Sequence, residues 1–128
     1  MKLSLALLVL ASLSLGPAWA KSTPVPGPTS SQSVHIGPLG DLSAFSTIVS
    51  DTLKSVQSGK SAAAVTRIKA FELLWDKQAS ALQAKSEAKW TAIDGAADVA
   101  LGAVRSSTAT RATSAAALEA LLKLLNAG

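Results

Sequence analysis

Residues 65–105 read VTRIKAFELLWDKQASALQAKSEAKWTAIDGAADVALGAVR and carry the clearest structural pattern of the chain. In its first half, apolar residues recur at alternating spacings of three and four, at Val65, Ile68, Phe71, Trp75, Ala79 and Leu82. The second half repeats this spacing with Trp90, Ile93, Ala97, Leu101 and Val104. Because such spacing is typical of one face of an amphipathic helix, each half is predicted to be helical.

The link between these two predicted helices is only a few residues long and centres on Ser86. Helices joined by a short loop pack as antiparallel neighbours, so the stretch predicts an αα-hairpin. Ser86 is a good N-cap for the second helix, and Glu87 places a negative charge in its first turn. Trp75 and Trp90 both fall on the shared apolar seam, where we expect both rings to be buried.

Helical patterns also flank the hairpin on both sides. Asp41 is a good N-cap for an earlier helix, and Gly59 is placed to end it. The hairpin helices should then run from about Ser61 to Ala84 or Lys85 and over residues 87–105. The stripe of the earlier helix consists of Leu42, Phe45, Val49, Leu53 and Val56.

The C-terminal part of the chain predicts one more helix. Residues 106–112 are small and polar and predict a loop, after which a helix should begin near Thr113 or Ser114. Its leucines recur at helical spacing, at Leu118, Leu121, Leu122 and Leu125. The sequence therefore predicts an all-α domain over residues 41–128, a four-helix bundle built on the central antiparallel αα-hairpin.

The N-terminus has the pattern of an export signal. Residues 1–20 begin with a lysine at the second position, followed by the apolar run Leu3–Leu15, which is too short to span a bilayer. Ala18-Trp19-Ala20 then supplies small residues at positions −3 and −1 of a signal-peptidase site. We expect cleavage between Ala20 and Lys21, and a periplasmic or secreted protein. The alternatives are an uncleaved anchor or a buried core helix.

Residues 21–40, KSTPVPGPTSSQSVHIGPLG, are rich in proline, serine and glycine and show no periodicity. Such a composition predicts a disordered leader that contributes nothing to a packed core.

Composition excludes several classes of function. The chain of 128 residues has no cysteine, which excludes disulfides and thiolate metal sites. Its one histidine, His35, lies in the leader, so the helical domain has no base for a serine nucleophile and no histidine ligand. The net charge is +4, but the basic residues are dispersed without a basic block, so nucleic acid is not an expected partner. We predict no catalytic residue, no cofactor and no metal site.

Carboxylates recur four residues apart in the hairpin, at Glu72 and Asp76 and again at Asp94 and Asp98. Like charges at this spacing repel each other unless a cation lies between them. One interpretation is a weak site for a divalent cation. The interpretation that we favour is a set of ion pairs along the hairpin edge, with partners drawn from Arg67, Lys69, Lys77 and Arg105.

A resemblance covers the same stretch. The residues that carry it are Arg67-Ile68-Lys69, Glu72, Trp75-Asp76, Trp90, Ile93-Asp94, Ala96, Asp98, Ala100-Leu101 and Arg105. This pattern resembles a largely uncharacterised helical module of small exported proteobacterial proteins, which usually reads RIKDLExxWD, a short turn, then WxxxDxAIDxALxxLR. The chain departs from it at Ala70, where aspartate is usual, and at Ala97, where isoleucine is usual. The resemblance implies a helical fold and an exported protein.

These observations predict an exported, non-catalytic helical module that binds a partner or has a structural role, its partner being an unknown protein of the cell envelope. The residues expected to serve as structural or partner-binding side chains are Trp75, Trp90, Arg67, Asp76, Asp94 and Asp98. One alternative is a bundle that binds a small molecule or a cation. Another is an amphipathic protein that associates with the membrane surface through its last helix. We favour a core-facing position for that helix, because a bundle explains the same leucine stripe.

Overall fold

The computed structural model describes residues 36–128. The predicted signal peptide, the cleavage site at Ala20–Lys21, His35 and most of the leader lie outside the described residues. The described chain contains four helices, α1 (Ser43–Gln57), α2 (Ser61–Lys85), α3 (Glu87–Arg105) and α4 (Arg111–Ala127). A short antiparallel pair of strands, β1 (Ile36–Gly37) and β2 (Gly40–Asp41), precedes them. The prediction of a four-helix domain is confirmed.

The helices pack in a ring. α1 and α3 each contact both α2 and α4, so each helix has two neighbours across which it buries its apolar face. The links between successive helices are short, which makes sequential neighbours antiparallel. The α2–α3 hairpin thus forms one side of the bundle, and contacts between α1 and α4 close it on the opposite side.

Two turns follow the capping chemistry expected from the sequence. Ser86 is the single residue between α2 and α3, and its hydroxyl accepts a hydrogen bond from the Lys89 N–H at 3.4 Å. Gly59 has a φ of +72°, the left-handed conformation that favours glycine after a helix. The Lys60 N–H then donates to the Ser55 carbonyl at 2.8 Å, which ends α1 where predicted.

The starts of two helices differ from the prediction. α4 begins at Arg111 rather than at Thr113 or Ser114, because the Thr110 hydroxyl accepts from the Thr113 N–H at 3.1 Å and so caps the helix earlier. Arg111 and Ala112 at its start are exposed, so the apolar pattern did not reveal them. At α1, Leu42 occupies the cap position, while the Asp41 carboxylate accepts from the Ser43 N–H at 2.9 Å.

The predicted boundary of the leader at residue 40 is also wrong. Residues 36–41 form the β-hairpin, and Leu39 at its turn is only 1% exposed. The Lys85 ammonium donates to the Leu39 carbonyl at 3.2 Å, and the backbone of Gly37 lies against Gly128. Each strand has only two residues, so the β-hairpin has no alternation of apolar and polar side chains from which it could be predicted.

The core draws apolar side chains from all four helices and from the β-hairpin. On α4, Leu118, Leu121 and Leu125 are buried, so its leucine stripe faces the core as expected. On α2, the predicted stripe residue Val65 is 38% exposed, whereas its neighbour Ala64 is 1% exposed. At this end of α2, the buried face is therefore displaced by one residue from the predicted stripe. Within residues 36–128, no helix is both long and apolar enough to cross a membrane.

Candidate functional site

The sequence-predicted site centres on Trp75, which is 3% exposed in the middle of α2. Its indole Nε1–H donates to Oδ1 of Asp94 on α3, at 2.8 Å. A buried tryptophan has to satisfy this single polar group, and a carboxylate acceptor makes the hydrogen bond charge-assisted. The contact therefore joins the two helices of the hairpin through one of the aspartates predicted from the sequence.

Four aromatic rings, which we call the aromatic cluster, meet at this point: Phe45, Phe71, Trp75 and Trp90. The Trp75 ring stacks on Trp90, with 6.3 Å between centroids and 6° between planes, and on Phe71 at 5.8 Å and 12°. Phe45 of α1 meets both Phe71 and Trp75 edge to face, at 5.7 and 5.2 Å. Such stacked and edge-to-face pairs add to the stability gained from burial alone.

Trp90 departs from the prediction that both tryptophans are buried. It packs against the core but remains partly exposed. Its Nε1 atom is nevertheless shielded from solvent and has no hydrogen-bond partner among the residues that the structure describes. Trp90 lies in the first turn of α3, at the end of the hairpin. The expected burial is thus confirmed for Trp75 and wrong for Trp90.

One of the predicted ion pairs lies along the hairpin. The Arg105 guanidinium of α3 donates to both carboxylate oxygens of Glu72 on α2, one of them at 3.2 Å. Hydrogen bonds from Arg105 lower the pKa of Glu72 below its ordinary value, and those to Glu72 raise the pKa of Arg105. Both side chains are partly exposed, so this bidentate pair fixes the helices' register more than it stabilises them.

Arg67 does not join the hairpin carboxylates. Its guanidinium lies 3.8 Å from Asp51 of α1, on the other flank of α2. Asp51 also pairs with Lys54 at 3.3 Å. Arg67 and Arg105 therefore link α2 to both of its neighbours, α1 and α3, rather than surrounding one acidic site.

Asp76 and Asp98 are exposed, and neither makes a hydrogen bond or an ion pair within the described part of the chain. Across residues 36–128, no group of three or more His, Cys, Asp or Glu side chains is placed to hold a metal ion. Of the six predicted residues, the structure brings together Trp75, Trp90 and Asp94. It places Arg67 on another face and leaves Asp76 and Asp98 in solvent.

Sequence reasoning missed a second region, at the opposite end of the bundle. A cavity of about 230 Å³ lies there between the α1–α2 turn and the α3–α4 loop. Its walls include Val56, Gly59, Ser61, Ser106, Arg111 and Ser114. The polar segment before α4 was predicted to be a loop, but its position opposite the Gly59 turn was not considered. In a bundle of alternating helices those two connections lie at the same end, which is the signal that could have located the cavity.

Comparison of the chain with protein-family models, with curated proteins and with solved structures found no match. The interpretation of both regions accordingly rests on their geometry.

Proposed function

We propose that this chain is an exported, non-catalytic helical module that binds a protein partner or has a structural role in the cell envelope. The observation that carries the proposal is that the aromatic and charged side chains of the hairpin contact one another. Trp75 is hydrogen-bonded to Asp94, and Glu72 is paired with Arg105. A catalytic centre holds such groups toward a space that a substrate can enter. Here they contact one another across the α2–α3 seam.

The pattern of residues 1–20 supports the exported location. A short apolar run followed by Ala18-Trp19-Ala20 is typical of a secretory signal peptide.

The two alternatives receive less support from the arrangement of the helices. For a cation-binding bundle, the carboxylates of the hairpin would have to converge. Instead, Asp94 accepts from an indole and Glu72 faces a guanidinium. For a protein that lies on a membrane surface, the last helix would present its leucines to lipid. Leu118, Leu121 and Leu125 are directed into the core instead.

Fractionation of cells that express the full chain tests the exported location. We expect the protein in the envelope or the medium, with Lys21 as the N-terminus by mass spectrometry. A chain that retains Met1 and stays in the cytoplasm would contradict the proposal.

Photo-crosslinking in the same cells tests partner binding. A photoreactive residue would replace the exposed apolar side chains Leu73 of α2 and Val99 of α3, one at a time, with the same change at Lys123 of α4 for comparison. We expect one discrete adduct from at least one face, which excess unmodified protein displaces. Adducts that are diffuse at every position and resist competition would count against a specific partner.

A further inference from the structure

The end of the bundle away from the aromatic cluster contains the cavity of about 230 Å³ between the α1–α2 turn and the α3–α4 loop. One wall is the start of α2 at Ser61, and the facing wall is the start of α4 at Arg111. A volume of this size is below that of a typical pocket for drug-sized ligands, so a suitable ligand has only a few heavy atoms.

Arg111 supplies the charge of this cavity. Its guanidinium lies over the α1–α2 turn, since a Cβ placed on Gly59 would be 2.9 Å from the Arg111 Nη2 atom. Within residues 36–128, no carboxylate lies within ion-pairing distance of Arg111, and its guanidinium makes no hydrogen bond. A guanidinium has five N–H donors in a planar fork that matches the geometry of an oxyanion.

The remaining polar side chains of the walls are serines, of which Ser106 accepts hydrogen bonds from the amides of its own loop. Ser114 is only 6% exposed, and its hydroxyl donates to the Ala103 carbonyl at 3.0 Å. Ser61 is the first residue of α2, which has no side-chain cap, so the amides of this turn add hydrogen-bond donors beside the cavity. No aspartate or glutamate lines the cavity, and Lys60 precedes Ser61 in the chain.

A cavity that combines a guanidinium with hydroxyl groups, and whose described walls contain no carboxylate, favours a negatively charged ligand. We propose that it binds a small oxyanion, a phosphate or carboxylate group, with the Arg111 guanidinium as the principal contact and the Ser61 hydroxyl as the second. This site is separate from the hairpin seam, so the proposal can be tested independently of the proposed partner binding.

Titration of the full chain, labelled with ¹⁵N, tests this site. Sodium phosphate and sodium acetate would be added in separate experiments, each against sodium chloride at matched ionic strength. We expect saturable shifts confined to the amides around Gly59, Ser61 and Arg111 with at least one of the two oxyanions. Arg111→Gln should weaken binding about tenfold or more, because a charge-assisted hydrogen bond contributes that much. Arg67→Gln removes a surface guanidinium outside the cavity and should leave the affinity unchanged.

A second arm distinguishes a free anion from a lipid headgroup. Vesicles of phosphatidylglycerol in phosphatidylcholine would be floated with the parent chain and with Arg111→Gln. Vesicle binding that requires Arg111 and is displaced by free phosphate would assign the site to a headgroup. If the protein does not float with the vesicles but binds phosphate saturably, the site is assigned to a free anion. Shifts that fail to saturate, or that are equally weakened by the Arg111 and Arg67 variants, would overturn the site. Circular dichroism of each variant verifies that the fold is retained.

Discussion

The two halves of the bundle are packed in different ways. In one half, which contains the β-hairpin, the start of α1 and the α2–α3 turn, the four described aromatic rings form one connected cluster around Trp75. In the other half, several buried positions hold small side chains, Val56, Ala64, Ala100 and Ser114, beside larger ones such as Leu101 and Leu118, and a cavity remains between the helices. We call these the aromatic half and the small-residue half.

This difference in packing indicates that the two halves contribute unequally to the free energy of folding. Large rings fill the space between helices and each bury a large apolar area, so the free energy of folding should be concentrated in the aromatic half. Small side chains bury less area and leave room for a ligand. The hairpin residues that resemble a functional site in the sequence therefore contribute to stability, while the oxyanion site that we propose lies at the opposite end.

The largest expected effect comes from truncating the central ring. Trp75→Ala should lower the free energy of unfolding by about 3–5 kcal/mol, because it loses the transfer energy and leaves a cavity. Urea melts followed by circular dichroism measure this loss. Val56→Ala in the small-residue half removes only two buried methyl groups and should cost about 1–2 kcal/mol. Trp90→Ala should cost less than Trp75→Ala, since the Trp90 ring is partly exposed. Equal losses for Trp75→Ala and Val56→Ala would remove the distinction between the halves.

Two glycines should respond to the same substitution with opposite signs. A Cβ on Gly37 would collide with the carbonyl oxygen of Gly128, so Gly37→Ala has to displace the β-hairpin or the end of α4. We expect it to destabilise the protein by about 1–3 kcal/mol, the usual cost of overpacking. Gly95 in α3 has open space around its Cβ position, so Gly95→Ala should stabilise by about 0.5–1 kcal/mol. Thermal melts of both variants test this, and a neutral Gly37→Ala would show that the β-hairpin is not part of the packed structure.

The hydrogen bond between Trp75 and Asp94 should be measurable by itself. Asp94→Ala leaves the buried indole N–H of Trp75 without its acceptor, which should cost about 1–3 kcal/mol. Asp98→Ala on the same helix is the matched control. Because the Asp98 side chain is exposed and makes no described contact, its loss should change stability by no more than about 0.5 kcal/mol. If the two variants melt alike in urea, this hydrogen bond does not contribute measurably to the packing of α2 against α3.

The smallest effect is that of pH on the Glu72–Arg105 pair. Arg105 lowers the pKa of Glu72 in the folded protein, so the pair stabilises the fold above the unfolded pKa of Glu72. That contribution is lost as the pH falls through the lowered folded pKa. Since both side chains are partly exposed, we expect less than about 1 kcal/mol. Urea melts at about pH 6 and about pH 3 should show a larger loss for the parent than for Arg105→Gln, given that glutamate titrates between these values. A loss of equal size in both proteins would mean that other groups account for the acid sensitivity.

Much of this fold could be predicted because its signals are local. The three-four spacing gave the hairpin helices, and Ser86 and Gly59 marked their ends through capping chemistry that depends on a few neighbouring residues. The start of α4 was missed because Thr110 caps the helix ahead of Arg111 and Ala112, which are exposed and carry no apolar signal. The β-hairpin was missed because Leu39 becomes buried through contacts with residues far along the chain, including Lys85.

The site was less predictable than the fold. The spacing of the tryptophans showed that both face the seam, but it could not show that the two rings stack on each other or that Asp94 accepts the Trp75 indole N–H. Periodicity gives the direction of a side chain from its own helix and not the relative height of the facing helix. The same limit explains Arg67, whose partner proved to be Asp51 on α1.

Native-state hydrogen exchange of the full chain, read out by NMR, is the most direct test of the claim that the aromatic half holds the bundle together. The slowest amides should lie in α2 and α3 around Phe71, Trp75, Ile93 and Ala97, and they should exchange only through global unfolding. Amides of α2 near Ala64 and of α3 near Val104 should exchange faster, through local opening of the small-residue half. Uniform protection along both helices, or slower exchange near Ala64 and Val104, would contradict the claim that the aromatic half is the more stable one.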